Sequence, residues 1–578
     1  MRSVPPETLE ERLARLELVH RVGNALATEK NRDRLVEMIL VEAQRLCNAD
    51  GGTLYLRTDD DRLRFAILRT DSLGVALGGS TGKPIELPSI PMFDPVTGEP
   101  NRRNVASAAA VLGRSFNVPD AYQAVGFDFS GTKQFDSRNG YRSVSFLTIP
   151  MVNTEDRVIA VLQLLNARDA ETSEIVEFSF EKQRTVEALA AQAGIALDNQ
   201  LLLDGQRELL ESFIRMIAAA IDAKSPYTGG HCERVPALAE LLVDSLCAAE
   251  SGPFAEFRLG EDERYELTIA AWLHDCGKVT TPVHVMDKAT KLETISDRIE
   301  VVRARFESLD RDARVRSLER VLAGELTREA ADAEYAREVA GLRDDLAFVE
   351  RANVGAEFLP PEAKARLAEI GRRRWVEGGV ERELLGSVEL ENLMVSRGTL
   401  TEAERIVING HMVHTLRMLE ALPFPRTLKR VPEYAAGHHE RMDGTGYPRG
   451  VFAGDMSVPA RAMAIADVFE ALTAGDRPYK TGKKLSEAMR IMGFMKRDNH
   501  LDPDLFDHFV QSGVYRRYAE RYLAAELIDE VDEAALLAIT PRAFEVPPVE
   551  ERERRRRELL PEYRFPVRDS GPPPARGA

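Results

Sequence analysis

Apolar residues recur along this chain with two different periods, and the change of period divides it. Over about the first 180 residues, the amphipathic stretches LARLELVHRVGNAL and DRLVEMILVEAQRLCNA lead into GGTLYLRTD, RLRFAILRTD, SVSFLTIPMVN and RVIAVLQLLNAR. These are short β-branched and aromatic runs separated by polar turns. The mixture predicts an α+β domain over residues 12–180, an antiparallel sheet with flanking helices.

From Glu181 the pattern becomes one long helix. Leu189, Ala193, Ala196, Gln200, Leu203, Arg207, Leu210, Ile214, Ile217 and Ile221 follow a 4,3 spacing with only Gln200 and Arg207 polar, the seam of a coiled coil. A connecting helix over 181–224 that pairs with a second copy in a parallel homodimer is expected, against the plainer alternative of a helix packed on its own domain. Residues 225–525 are helical in period and predict an all-α domain. Inside it, 292–397 is charge-laced and holds no histidine, which reads as a large helical insertion, a solvated hairpin between two working parts. The tail over 547–578 is basic and then rich in Pro and Gly, so disorder is expected there.

Length agrees with this division, since 578 residues exceed what one hydrophobic core organises. An apolar fraction of 44% with 30% charged residues is that of a globular chain. Runs such as VIAVLQLLNA fall short of a bilayer span, and the charged start MRSVPPETLEERLARLEL is not signal-like, so a cytoplasmic protein without a membrane partner is expected. Cys47, Cys232, Cys247 and Cys276 form no CxxC pair and suggest no thiolate zinc site. The net charge of -17 opposes binding of a nucleic acid polymer. An anionic substrate would need a local positive site.

Candidate chemistry gathers in the histidines. HCERV at 231, HDCGK at 274, NGHMVH from Asn409, HHERMDGTGYPRG at 438, IADVFEALTAGDRPYK from Ile465 and NHLDP at 499 place imidazoles and carboxylates at several helical sites. Imidazole offers a neutral donor and a carboxylate can bridge two cations, so Asp275 is the natural bridge of a metal pair. Nitrogen and oxygen donors without thiolate disfavour a structural zinc site and suit Fe or Mn in octahedral geometry, with Ni, Co, Zn and Mg as the alternatives. Such a pair activates a water and clamps a phosphoryl group, which implies phosphoester hydrolysis.

HDCGK together with HHERMDGTGYP resembles the HD-GYP domain, a subgroup of HD phosphohydrolases whose members hydrolyse cyclic di-GMP. His438, His439, Glu440, Asp443, Gly444, Gly446, Tyr447 and Pro448 match every fixed position of HHExxDGxGYP. The resemblance implies metal ligands at His231, His274, Asp275, His411, His438, His439 and Asp467, two divalent ions, and catalytic roles for Asp275 and Lys278. It places Lys278, Asp443, Gly446, Tyr447, Pro448, Arg477 and Lys480 against the substrate. His414 competes with His411 for the ligand role, and motif spacing favours His411. Tyr227 stands where some members carry a third-metal glutamate, so a two-metal site is expected. The implied activity is hydrolysis of cyclic di-GMP, ending at pGpG or continuing to GMP. Another cyclic dinucleotide or nucleotide, or a catalytically inactive receptor, are the alternatives.

NVPDAY, FDFSGTKQFDSRNGYRSVSFLTIPM and VIAVLQLLNA resemble a GAF domain of the type found in cyclic-nucleotide phosphodiesterases. That implies a small-molecule or cyclic-nucleotide ligand near Asn117, Asp120, Phe135, Asp136 and Tyr141, and a sensor that regulates the hydrolase. A GAF domain that binds nothing and only dimerises is the alternative.

Overall fold

The computed structural model describes residues 9–224, 230–355, 358–475 and 482–559. Its contacts separate into two units, Met1–Leu210 and Glu211–Ala578.

The first unit is built on an antiparallel sheet of eight strands: β1 (Ala49–Arg57), β2 (Arg62–Thr70), β3 (Val75–Gly78), β4 (Ile90–Pro91), β5 (Phe116–Val118), β6 (Phe146–Val152), β7 (Val158–Arg168) and β8 (Ile175–Val176). The order is β3-β2-β1-β7-β6-β5, with β4 on β2 and β8 on β7. Alternation along the central strands explains how both faces are covered. Leu54 and Leu56 of β1 and Leu162 and Leu164 of β7 point to one face. There they meet Leu35, Ile39 and Leu40 of the helix Arg32–Cys47 and Leu189 and Ala193 of the helix Phe180–Lys224. Tyr55 and Val161 have the opposite parity and pack with Ala106, Ala109 and Ala110 of the helix Val105–Leu112. Local caps define these helices: the Asn31 side chain accepts from the Arg34 N–H at 3.0 Å, and Asn104 does the same for Ser107 at 3.1 Å.

The helix Phe180–Lys224 runs for 45 residues, but the expected seam is not continuous along it. Leu189 and Ala193 are spent in the core of the first unit, and Ile214 and Ile221 in the core of the second. What stays exposed is a shorter face, Leu202, Leu203, Leu209, Leu210, Phe213, Met216 and Ile217. Two of its columns, 202-209-216 and 203-210-217, repeat every seven residues.

The second unit is helical around one large core. The helix His231–Cys247 carries Val235, Leu238, Ala239, Leu242 and Leu246 at 3,4 spacing into it. Against this stripe pack the helices Glu261–Leu273, Val431–Ala436 and Val458–Thr473, and farther along Leu485–Arg497, Pro503–Gln511 and Val514–Tyr522.

The inserted segment has a core of its own, with Ile299, Val302, Phe306, Leu342, Val349, Leu367 and Leu393 buried together. The helices Ile299–Leu322 and Arg328–Val354 form its long hairpin. It is not solvated hairpin alone: a β-ribbon follows, β9 (Arg374–Glu377) and β10 (Val380–Glu383), turning at Gly378 and Gly379, both with positive φ.

The two ends of the insertion are tied together. The buried Lys288 ammonium donates to Glu404 at 2.7 and 2.8 Å and to Asn392 at 2.7 Å, and the Thr399 hydroxyl donates to the Lys288 carbonyl at 2.9 Å. Glu404 is also half of a capping box with Thr401. The insertion therefore leaves and rejoins the helical unit at one point.

The tail is not structureless throughout. Val549–Leu559 is a helix, supported by an i,i+4 pair between Arg555 and Glu551 at 2.7 Å. It is held down by Arg552, which pairs with Asp455 at 2.6 Å. Residues 560–578 lie outside the described residues. No helix among the described residues is long and apolar enough to cross a membrane.

Candidate metal centre

Five stretches of chain deliver the site. His231 is the first residue of its helix, His274 caps the end of the helix Glu261–Leu273, and Asp275 follows it at the start of a 3-10 turn. His411 lies mid-helix in Glu402–Glu420, His438 and His439 follow Val431–Ala436, and Asp467 lies in Val458–Thr473. The structure brings all seven together in two overlapping clusters, Asp275 with His411, His438 and His439, and Asp275 with His231, His274 and Asp467. Within each cluster, donor atoms lie within 4.8 Å of one another.

Asp275 belongs to both because its two oxygens face different ways. Oδ1 is 3.2 Å from His411 Nε2 and 3.9 Å from His438 Nε2. Oδ2 is 3.2 Å from His274 Nε2 and 3.6 Å from His231 Nε2. Asp467 Oδ1 sits 3.3 Å from His231 Nε2 and 3.8 Å from His274 Nε2. His414, three residues beyond His411, is exposed, so the helix itself selects His411.

Close packing makes the convergence possible. Lys278 lies in the 3-10 turn Cys276–Thr280, and the same turn presses against the His411 helix, where the Gly277 N–H donates to the Thr415 hydroxyl at 2.9 Å. A Cβ on Gly277 would lie 2.0 Å from the His411 carbonyl oxygen and 2.5 Å from the Thr415 nitrogen. Only glycine permits that approach.

The imidazoles are aimed by their outer nitrogens. Nδ1 of His274 and of His438 donates to the carbonyls of Ala271 and Ala435, each at 2.7 Å, and Nδ1 of His411 donates to that of Ile408. This leaves Nε2 as an inward lone pair on each ring. His274 Nε2, His411 Nε2, His438 Nε2 and Asp275 Oδ1 are buried without a hydrogen-bond partner. Buried polar atoms are rarely left so, and four of them converging fit a cation.

Electrostatics agree. Burial alone would raise the Asp275 carboxyl, but Lys278, His274 and His231 overcome it and hold it well below the usual range. Asp467 is likewise lowered against burial by His231, His438 and His274. Burial pushes His438 down to about 4 and His439 well below its ordinary value. Ionised carboxylates beside neutral imidazoles are the state ligation needs. His231 moves the other way: burial disfavours its charged form, yet Asp275, Asp467 and Glu470 raise it well above normal.

The remaining candidates are placed as follows. Lys278 Nζ is 2.5 Å from Asp275 Oδ2. Tyr447 stacks on His439 at 4.8 Å, and its N–H donates to the His439 carbonyl at 3.2 Å. Pro448 follows through a cis peptide bond. At Gly446 a Cβ would lie 2.4 Å from the Arg441 nitrogen. The Asp443 carboxylate is engaged in its own turn, accepting from the Thr445 N–H and hydroxyl at 3.0 and 2.7 Å. Arg477, Lys480 and Tyr227 lie outside the described residues.

In the first unit, Asp136 is buried and accepts from Tyr122, the Ser143 N–H and the Ser143 hydroxyl, each at 2.8 Å. Tyr141 donates to Asp50 at 2.5 Å, Asn117 donates to the Phe178 carbonyl at 2.8 Å, and Asp120 accepts from the Tyr122 N–H at 2.8 Å. Phe135 is partly exposed. Asp136 and Tyr141 are thus hydrogen-bonded within this domain. Glu470, which bonds His231 and Arg234, is a contributor that sequence reasoning missed. Its signal was the spacing Asp467-x-x-Glu470, which puts both carboxylates on one helix face.

Residues 31–197 match the family model of the GAF domain and residues 388–505 that of the HD domain, so the chain joins a GAF domain to an HD domain. His411, His438, His439 and Asp467 fall inside the HD match, whereas His231, His274 and Asp275 precede it and are brought in by the fold. The chain is 38% identical over 122 residues to 3'3'-cGAMP-specific phosphodiesterase 1 of Vibrio cholerae, covering 21% of this chain and 27% of that protein. It is 40% identical over 119 residues to a cyclic di-GMP phosphodiesterase of Pseudomonas aeruginosa, covering 20% of this chain and 28% of that one. The match thus spans under a third of either relative. The GAF domain of an Acinetobacter phosphoenolpyruvate-protein phosphotransferase is 12% identical with a TM-score of 0.24, covering 33% of this chain and 98% of that one.

Gly277→Ala should lower stability by roughly 1–3 kcal/mol and reduce retained metal. Gly410→Ala, beside His411 in the same helix but with open space at its Cβ, should do neither. Urea midpoints and elemental analysis of the two variants check this.

Proposed function

We propose that this protein is a metal-dependent phosphodiesterase of cyclic dinucleotides, with cyclic di-GMP as substrate, linear pGpG as first product and GMP as a further one. The observation that carries the reading is the convergence of seven donor residues, Asp275 with three on either side of it, four of their buried atoms lacking any partner. The donor set suits two divalent ions, Fe or Mn. His231, His274 and Asp467 would hold one, His411, His438 and His439 the other, with Asp275 shared. When bound, such a pair supplies an activated water and a clamp on phosphoryl oxygens. Lys278 offsets charge developing on the phosphate, and Tyr447, stacked on His439, lines the substrate's approach together with Gly446 and Pro448. Arg477 and Lys480 are assigned to the far phosphate.

The GAF domain is the sensor, for a small molecule or cyclic nucleotide, and the exposed heptad face of the helix Phe180–Lys224 pairs with a second copy. Regulation through that helix is modest, about 1–3 kcal/mol, because coupling cannot exceed a ligand's differential affinity for two states. Hydrolysis of 3'3'-cGAMP is the second reading, favoured by the relatives of that name at 38% and 34% identity.

Asp275→Ala should lower kcat/KM on cyclic di-GMP about a thousandfold or more, about 4 kcal/mol of lost transition-state stabilisation, together with metal content. Retained turnover would refute the site. On a panel of cyclic dinucleotides, the highest kcat/KM is expected for cyclic di-GMP, and a preference for 3'3'-cGAMP would install the second reading. In sedimentation at micromolar concentration the chain should run at twice its mass. Leu203→Asp with Leu210→Asp should return it to monomer, and a monomeric parent would remove the dimer.

A further inference from the structure

We propose that Glu470 is a positioning residue that holds His231 in its donor orientation and thereby governs one of the two metal positions, the one formed by His231, His274 and Asp467. The proposal rests on the metal reading above and assigns Glu470 no donor role, since its oxygens are outside both clusters of converging atoms.

The contrast among the histidines points to it. His274, His411 and His438 each donate from Nδ1 to the backbone carbonyl three residues earlier. His231 opens its helix, directly after Gly230 with φ 77°. Its Nδ1 bonds Glu470 instead. The second Glu470 oxygen accepts from Arg234 Nε at 2.6 Å, and Arg234 lies one turn after His231 on the same helix.

Glu470 itself is 1% exposed and stands three residues beyond Asp467. Two side chains of one helix therefore grip a single carboxylate of the other, which fixes the ring plane of His231 and the register of the two helices. A carboxylate held on Nδ1 turns Nε2 toward Asp467 and Asp275, 3.3 and 3.6 Å away. The position around His411, His438 and His439 lacks an equivalent among the described residues, its outer contacts being neutral carbonyls and the stacked Tyr447 ring. The two positions are thus supported unequally, by a charged group on one side and by backbone on the other.

The test is equilibrium titration of the full chain with Mn2+ against a chromophoric chelator, with helix content and urea midpoint measured on the same samples. Glu470→Gln preserves shape and should weaken one of two binding steps by about 10–100-fold while leaving the other unchanged. Glu266→Gln removes a different buried carboxylate, which accepts from the Arg430 N–H, and should leave both steps alone. Two unchanged steps in Glu470→Gln, equal weakening of both steps, or the same loss in Glu266→Gln would each overturn the positioning role. A parent chain that binds no Mn2+ would instead sink the metal reading, and this inference with it.

Discussion

The centre depends on a single carboxylate shared between two groups of imidazoles. Asp275 is buried, and a buried carboxylate is tolerated only when surrounding charge and hydrogen bonds compensate its desolvation. Lys278 supplies one compensation and the histidines on either side the rest. With its oxygens facing opposite ways, Asp275 turns two sets of donors into one site, and each helix that brings a histidine must come close enough to touch it.

That requirement explains features that look unrelated. Gly277 removes the side chain that would keep the 274–280 turn from the His411 helix. Lys288, paired with Glu404 and Asn392, closes the base of the inserted segment, so more than a hundred residues enter between HDCGK and His411 without parting them. Glu440, fully buried, accepts from the N–H groups of Arg449 and Val451 and folds the loop after His439 back on itself. The insertion adds a hydrophobic core of its own and leaves the geometry of the site to the helices that flank it.

Much of this was legible in the sequence. The seven donors were readable because HDCGK and HHERMDGTGYP are dense signatures, and their meeting point required only that the intervening helices pack. Period alone overextended the coiled-coil seam: Leu189 and Ala193 have the right spacing, but the same apolar face is consumed by the sheet of the GAF domain. The ribbon at 374–383 was hidden because its strands are four residues each and mostly charged, although Gly378-Gly379 marked the turn. The helix at 549–559 was masked by a composition that reads as disorder until Asp455 supplies Arg552 with a partner. Glu470 escaped notice because a second carboxylate on a ligand helix looks like surface charge until burial and its partner His231 are seen.

Cys232 and Cys276 adjoin His231 and Asp275 in sequence, so thiolate is the natural competitor for the donor set. Burial pushes the Cys276 thiol up to about 12 and raises Cys232 as well, which disfavours their thiolates. X-ray absorption spectroscopy of the anaerobically purified full chain separates the two cases directly. A shell of nitrogen and oxygen with imidazole scattering and no sulfur is predicted; a sulfur shell, or a chain that retains no ion, would contradict the shared-carboxylate centre.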